Sequence, residues 1–426
     1  MLADRIRAAH DSRTPLRIMG ARTWLAAMRP CDGDRLDVST HAGIVEYVPG
    51  DLTITVRAGT SMRDIAAVTG AEGQWLALDP FGDPAGTIGA TVATASDGPL
   101  ASTFGRVRDL VLGLEVITGG GEVTRAGGRV VKNVAGFDLV RLHVGAWGTL
   151  GVISEISLRL HARPEVDETL CITGDPRQAL EAWLAPLATA ALAPYAVELL
   201  NAPLAQAIGL EARTTLLVRL AGNEDRVRAQ REALASLGDV RVAPPDTFAR
   251  LARALPSDAL TARVSHERTR VFDTWRHVAA ACARHQAWQP RLCASLARGL
   301  VRVSLPLDAD APMVSDWGAF TRTLAPPGAH TAWQQLPAEA WPHVASPVAD
   351  TLSQRLRATL DPAHILNRGL LGEPMSDDLA ANAVHGDDRV AMNGASGVDH
   401  RATHGASDVD RDATRPPDAP STTPTA

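Results

Sequence analysis

Glycine is the residue whose placement first suggests chemistry in this chain. Gly20 ends an apolar run, Gly82–Ala90 reads GDPAGTIGA, Gly98 follows, and Gly136–Gly151 reads GFDLVRLHVGAWGTLG. Glycine tolerates positive φ and lets a backbone approach a ligand closely, so its N–H groups can hold phosphate or ring oxygens. A dinucleotide stretched over several loops needs many such approaches. Taken singly, each segment also fits an ordinary turn. Lys132 is the only lysine among 42 basic residues. It adjoins the last glycine segment, where a compact ammonium and a guanidinium fork are not interchangeable. Chance survival of one lysine under a strong arginine bias is the competing explanation.

Other chemistries lack their residues. No G-x-G-x-x-G follows a strand and no Walker A sequence occurs, so neither the Rossmann nor the P-loop mode of phosphate binding is supported. Gly145, Gly148 and Gly151 are spaced G-x-x-G-x-x-G, a different fingerprint. There is no H-E-x-x-H or clustered His/Cys set for a metal and no G-x-S-x-G nucleophile elbow. Cys31, Cys171, Cys282 and Cys293 are scattered without a C-x-x-C pair, so neither a disulfide framework nor an iron–sulfur cluster is expected in this chain.

The elements that must position these glycines are mostly strands. Leu16–Met19, Ile44–Val48 and Thr53–Arg57 are rich in β-branched residues and bounded by Gly or Pro. Ser61 with Asp64 opens a helix through Ala67. Leu110–Thr118 and Gly121–Thr124, joined by Gly119-Gly120, read as a hairpin, and Gly151–Leu160 alternates as a half-buried strand does. Strands outnumber helices without βαβ alternation, which predicts an α+β fold. From about Arg163 helical stretches (Arg177–Ala191, Asp225–Leu237) alternate with strands (Thr215–Leu220, Val301–Pro306), which predicts a second α+β domain.

With 426 residues the chain suits two or three domains. Its net charge of -6 leaves no basic footprint for nucleic acid. No run approaches the roughly 18 apolar residues that span a bilayer, and Met1–Pro15 lacks a signal peptide's apolar core, so a cytoplasmic location is expected. Glu373–Ala426 holds ten acidic and four basic residues, no aromatics, and an imperfect duplication of Gly394–Thr403 at Gly405–Thr414. Such a segment buries too little to offset its ordering entropy and is expected to be a disordered acidic tail.

Taken together, the motif series resembles the vanillyl-alcohol-oxidase (PCMH) type of FAD-binding domain. The matching residues are the strand and loop Arg17–Thr23, Asp79–Gly89 with Thr87-Ile88-Gly89, and Asp109-Leu110-Val111-Leu112-Gly113. Lys132–Leu139 (KNVAGFDL), Gly148–Ser154 (GTLGVIS) and Leu360–Asn367 (LDPAHILN) complete it. The K-N-x-x-G-[FY]-D-L segment followed by G-x-x-G-T-L-G-V-I is the most specific and looks like members that oxidise 2-hydroxy acids. The shortened form resembles the FAD-binding subunit of bacterial glycolate oxidase.

The resemblance implies a two-subdomain FAD-binding domain over 1–162 and a smaller α+β cap domain over 163–345. A return segment, 346–372, and the tail, 373–426, would follow. It implies FAD as cofactor, a larger FAD-containing catalytic subunit and an iron–sulfur subunit as partners, and attachment to the inner membrane only through that complex. The substrate class would be 2-hydroxy acids of the glycolate and D-lactate kind. Gly20, Ala21, Arg22 and Thr23 would form the first cofactor loop. Thr87, Ile88 and Gly89 would offer backbone donors to the diphosphate, and Gly98 and Gly148 would line the cleft. Lys132 would place positive charge near flavin N1–C2=O, the only catalytic candidate, with Asn133 beside it; Asp138 reads better as a helix cap. Val152 and Ile153 would pack at the adenine end and Asn367 would approach the ring.

Three departures bear on this. The first loop reads Met19-Gly20-Ala21-Arg22-Thr23-Trp24, less glycine-dense than the family pattern, and Arg22 would offset lost backbone contacts by pairing with pyrophosphate. It has no His and no nearby Cys, so non-covalent FAD is expected. The H-x-G-D-G-N-x-H segment of substrate-handling members is absent. That leaves two other functions open: a self-sufficient FAD-linked 2-hydroxy-acid dehydrogenase, or a non-catalytic assembly subunit with a decayed flavin site.

Overall fold

The computed structural model describes residues 1–23, 28–31, 33–128, 138–174, 183, 192–235, 238–254, 259–283, 289–306 and 316–373. Helix α1 (Leu2–Ser12) leads into β1 (Leu16–Met19), which pairs in parallel with β2 (Asp34–Asp37). A five-stranded antiparallel sheet follows. It consists of β3 (Ile44–Val48), β4 (Thr53–Arg57), β6 (Val111–Ile117), β7 (Val123–Gly127) and β8 (Val152–Arg159), in the order β3-β4-β8-β6-β7. The short strands β5 (Gln74–Trp75) and β9 (His161–Ala162) pair beside it.

Local chemistry explains the boundaries. Helix α2 (Met62–Ala71) starts where Ser61 Oγ accepts the Asp64 N–H at 3.0 Å, as the sequence suggests, and runs one turn past the expected end. Helix α3 (Ile88–Ala93) starts where Thr87 Oγ1 accepts the Ala90 N–H at 3.3 Å. A serine or threonine at this position satisfies one of the orphan donors of a first helical turn. The expected hairpin is present as β6 and β7, although Leu110 closes a helical turn rather than opening the strand.

The second sheet has eight antiparallel strands. They are β10 (Val166–Thr173), β11 (Ala196–Leu200), β12 (Thr215–Gly222), β13 (Asp239–Val242), β14 (Ala259–Ser265), β15 (Arg291–Ser295), β16 (Leu300–Pro306) and β17 (His330–Gln335), in the order β13-β10-β12-β11-β15-β16-β14-β17. The larger of the two sheets thus lies where the smaller α+β domain was expected. Its strands were hard to read since β11 is buried on both faces, and a short continuous apolar run does not distinguish strand from helix. One face packs against helices Glu224–Leu234, Val271–Ala283 and Trp317–Thr323 in a core that includes Leu199, Val218, Val278, Val303 and Trp275. On the other, Phe81, from the loop ahead of α3, packs among Ala196, Leu200 and Leu217. The helix expected at Arg177–Ala191 and the acidic tail fall, but for Trp183 and Glu373, outside the described residues.

The chain then returns to its beginning. After helix Thr351–Leu360, Leu16 N–H donates to Ile365 O at 2.7 Å and Asn367 N–H donates to Leu16 O at 2.9 Å, so the returning segment lies beside β1. Asp361 folds this turn. It is fully buried, and its two carboxylate oxygens accept the N–H groups of Ile365 at 3.1 Å and Leu366 at 2.9 Å. Asp361→Ala strands two buried donors, at about 1–3 kcal/mol each. A loss of about 2–6 kcal/mol is therefore expected, read as a lower urea midpoint, with Asp361→Asn losing less because one acceptor survives.

Candidate functional site

Four stretches distant in sequence wall one cleft enclosing about 790 Å³, part of it open to solvent. They are Arg17–Gly20, the Thr87–Thr94 region, Trp147–Ile153, and Asn367 with Leu370; Met28, Cys31, Val38 and Ala58 complete the lining. The walls are mainly apolar, and Arg17 is the single charged residue among the described lining residues.

The cleft depends on close backbone packing. A Cβ on Gly20 would lie 2.4 Å from Thr87 Oγ1, so only glycine lets the first loop reach the head of α3. A Cβ on Gly89 would lie 2.7 Å from both Cβ and O of Ala58, so glycine also lets α3 settle on the end of β4. At the other end of α3, Val92 O accepts from Gly145 N–H at 3.1 Å and Ala93 O from Trp147 N–H at 2.8 Å. The Trp147 bond satisfies the carbonyl of the last helical residue, and the Gly145 bond adds to the Ala95 N–H that Val92 O also accepts at 3.1 Å. They also fix the loop in which Trp147 and Gly148 take left-handed φ values of 56° and 69°.

Asn367 joins the walls. Its Oδ1 accepts the Ile18 N–H at 2.8 Å and its Nδ2 donates to Trp147 O at 2.7 Å, with the backbone held at φ 45°. Behind the floor, His143 is buried, and burial lowers its pKa, which favours the neutral imidazole. The position expected to cap the next helix does so: Asp138 Oδ1 accepts the Arg141 N–H at 3.2 Å.

Of the residues singled out in the sequence, Gly20, Thr87, Gly89, Gly148, Val152, Ile153 and Asn367 line this one cleft. Lys132 and Asn133 lie outside the described residues. Ala21, Arg22, Thr23, Ile88 and Gly98 are not among the lining residues. Ile88 is buried in the core of the first domain instead. The expected donation from Ile88 and Gly89 to a diphosphate needs correcting: their N–H groups are spent on Thr60 O at 2.9 Å and Ala58 O at 2.8 Å. Arg22 is exposed with φ 59° and lies near enough to Asp37 to contribute to its lowered pKa, behind the hydrogen bonds from Ser39. Gly98 lets its loop pass against Asp79, where a Cβ would fall 1.8 Å from the Asp79 carbonyl oxygen.

Other wall residues went unread. Ala90, Ala93 and Thr94 form a face of α3 at helical spacing, and such small residues together were the available signal of close approach. The sequence offered no cysteine near the first loop, yet the fold brings Cys31 to the cleft wall.

Comparison with known proteins places the cleft in context. Residues 1–127 match the family described as FAD binding domain. That stretch of the chain is similar to an FAD-binding domain. It is 38% identical over 239 residues to the glycolate oxidase subunit GlcE of Escherichia coli, covering 55% of this chain and 63% of that protein. It is 32% identical over 195 residues to the glycolate oxidase subunit GlcD of Bacillus subtilis, covering 45% of this chain and 42% of that protein. The mitochondrial cytochrome D-lactate dehydrogenase of Arabidopsis thaliana is 32% identical over 38% of this chain and 28% of its own length. The matches thus span less than two thirds of each of these relatives. The fold as a whole is similar to a solved alkyldihydroxyacetonephosphate synthase, with a TM-score of 0.61 at 16% identity over 86% of this chain and 75% of that one. FAD is the cofactor these matches support. No helix among the described residues is long and apolar enough to cross a membrane.

Proposed function

We propose that this chain is the FAD-bearing subunit of a glycolate oxidase-like complex. The complex would oxidise a 2-hydroxy acid of the glycolate or D-lactate class to the 2-oxo acid and pass the electrons to partner subunits. The observation that carries this reading is the convergence of Gly20, Thr87, Gly148, Val152 and Asn367 on one cleft in a chain whose first 127 residues match the FAD binding domain. Further support comes from similarity to two glycolate oxidase subunits and a D-lactate dehydrogenase. The domain division at 162, 345 and 372 is part of the same reading. So are a larger flavin subunit and an iron–sulfur subunit as partners, and a cytoplasmic site of action at or near the inner membrane.

Bound FAD supplies the two-electron chemistry, and the protein supplies position and electrostatics. In this reading Arg17 offers positive charge to the diphosphate. Val152 and Ile153 form an apolar seat for the adenine end. Asn367 acts through its neighbours, since both ends of its amide hold main-chain atoms of the wall. Lys132 is proposed to stabilise negative charge that builds near N1–C2=O on reduction, because fixed charge aimed at developing charge is an effective electrostatic device. FAD is proposed to be held without a covalent bond.

The test is to purify the chain alone and record its visible spectrum after FAD is supplied. Flavin absorbance is expected, and acid precipitation should leave the flavin in the supernatant. Absence of flavin absorbance would sink the reading. Assay of the same preparation with glycolate and D-lactate plus a dye acceptor should give little turnover until the partner subunits are added. Robust turnover alone would favour a self-sufficient dehydrogenase.

A further inference from the structure

The face of the eight-stranded sheet turned toward the first domain carries charge where a sheet interior ordinarily carries carbon. In the strand register Arg302 lies between Cys293 and Arg263, and Glu198 lies opposite Ser295. Arg298 joins them from the turn Leu296–Arg298. Arg302 and Asp97 are each 4% exposed.

The ion pairs here converge on one carboxylate. Arg298 Nη2 donates to Asp97 Oδ1 at 2.9 Å, and Arg263 Nη1 stands 3.8 Å from the same oxygen. Arg302 reaches the main-chain carbonyl of Asp97 at 3.3 Å and Gln334 Oε1 at 3.4 Å, and its guanidinium lies 3.8 Å from the Phe81 ring centroid. Burial lowers the pKa of Arg263, and its neighbours Arg298 and Arg106 add to that effect while Asp97 opposes it. Burial likewise lowers Arg302, to about 10, with Arg263 contributing.

Glu198 does little to balance these charges. It is fully buried, accepts from Cys293 Sγ at 3.0 Å and Ser295 Oγ at 2.6 Å, and burial raises its pKa toward the neutral acid. Among the described residues, then, Arg263 and Arg298 share Asp97 as their ion-pair partner, while Arg302 reaches only its main-chain carbonyl. Removing a guanidinium from water costs several kcal/mol unless an anion compensates it. The cluster is short of negative charge.

We propose that Arg263, Arg298 and Arg302 form a docking site for a small carboxylate anion beside Asp97. The arginines already receive one carboxylate in this arrangement. Phe81 covers a face of the Arg302 guanidinium, which directs further bonding to its edge, and an edge-on fork is the geometry that suits a planar carboxylate. The site adjoins the cleft by sequence: Asp97 lies three residues beyond Thr94, which lines it. It goes beyond the flavin reading and rests on charge and burial alone.

Oxalate, which carries no oxidisable hydroxyl, is the probe. The full chain is titrated with it by calorimetry at low salt, once free of flavin and once loaded with FAD. Saturable one-to-one binding at about 1 mM or tighter is expected in both. Arg263→Gln, at a side chain that is partly exposed and outside the core, should weaken binding about tenfold or more while leaving the melting temperature near that of the parent. Arg263→Lys should recover part of the loss. Heats no larger than a chloride control, or an Arg263→Gln variant that binds like the parent, would overturn the site. Inorganic phosphate binding as tightly as oxalate would overturn the assignment to carboxylates. Binding in the flavin-free chain together with failure to take up FAD would leave this site standing and remove only the flavin reading.

Discussion

Replacing Gly20 by alanine is expected to lower FAD affinity by about tenfold or more, and removing the Thr87 side chain in the same protein is expected to recover part of it. The added methyl would sit 2.4 Å from Thr87 Oγ1 and 3.4 Å from Thr87 Cγ2, at the head of a helix pinned by Ile88 N–H to Thr60 O and Gly89 N–H to Ala58 O. Neither side yields easily. Threonine is stiff at χ1, and α3 cannot retreat without breaking those bonds. The loop must therefore move, and with it the cleft wall formed by Arg17, Ile18 and Met19. Overpacking of this kind typically costs about 1–3 kcal/mol. Thr87→Ala alone loses the helix cap, worth about 1 kcal/mol, but makes room for the methyl. A coupling of at least about 1 kcal/mol between the two changes is expected from the four flavin titrations of a double-mutant cycle. Additive effects would show that the loop and α3 do not meet as described.

The second large effect concerns pH. Asp79 is partly buried beside the eight-stranded sheet, and burial pushes its pKa up to about 7, with nearby Glu198 contributing, while Arg219 and the Leu100 N–H act in the opposite direction. Leu100 N–H reaches both carboxylate oxygens, at 3.0 and 3.2 Å. A folded pKa above the unfolded value means that the folded chain holds the proton more tightly. The stability this provides is complete below about pH 4 and is lost as pH rises toward 7. A shift from 3.8 to about 7 corresponds to about 4 kcal/mol over that window. Asp79→Asn keeps an acceptor for Leu100 and has no proton to lose. The variant should gain on the parent steadily from pH 4 to 7 and be the more stable at pH 8, as read from urea midpoints at each pH. Parallel profiles for the two proteins would show that Asp79 does not titrate in this range. Because Asp79 lies in the loop after β5 and Glu198 on β11, the same titration should loosen the packing between them first, visible as faster amide exchange at Leu100.

Much of the first domain was legible from local signals. Leu16–Met19, Ile44–Val48 and Thr53–Arg57 form strands with the bounds read from their β-branched runs. Ser61 caps its helix because a hydroxyl followed by Asp64 offers the needed acceptor at short range. The cleft was legible in part, since glycines that allow backbone contact recur in a set order, and Gly20, Gly89 and Gly148 meet there. What could not be read is how the donors of those turns are used. Ile88 and Gly89 look like free phosphate donors in sequence and prove to be bonded to Thr60 and Ala58, residues that only the folded sheet brings near. Arg22 looks like a phosphate partner and stands exposed near Asp37 instead.

The second sheet shows the same division more sharply. Its strand-forming content lies in the residue types, but the gathering of Arg263, Arg298 and Arg302 around Asp97 depends on register between strands and on the loop after α3. Sequence by itself determined where glycine relaxes the backbone, where helices begin, and that the leading segment is built to hold a dinucleotide. Tertiary structure alone decided which N–H groups are already spent, that Cys31 reaches the cleft, and that Arg263 and Arg298 share a carboxylate. The reason is physical: propensity and capping act within a few residues, whereas hydrogen-bond partners and ion pairs are set by whichever distant atoms the fold delivers.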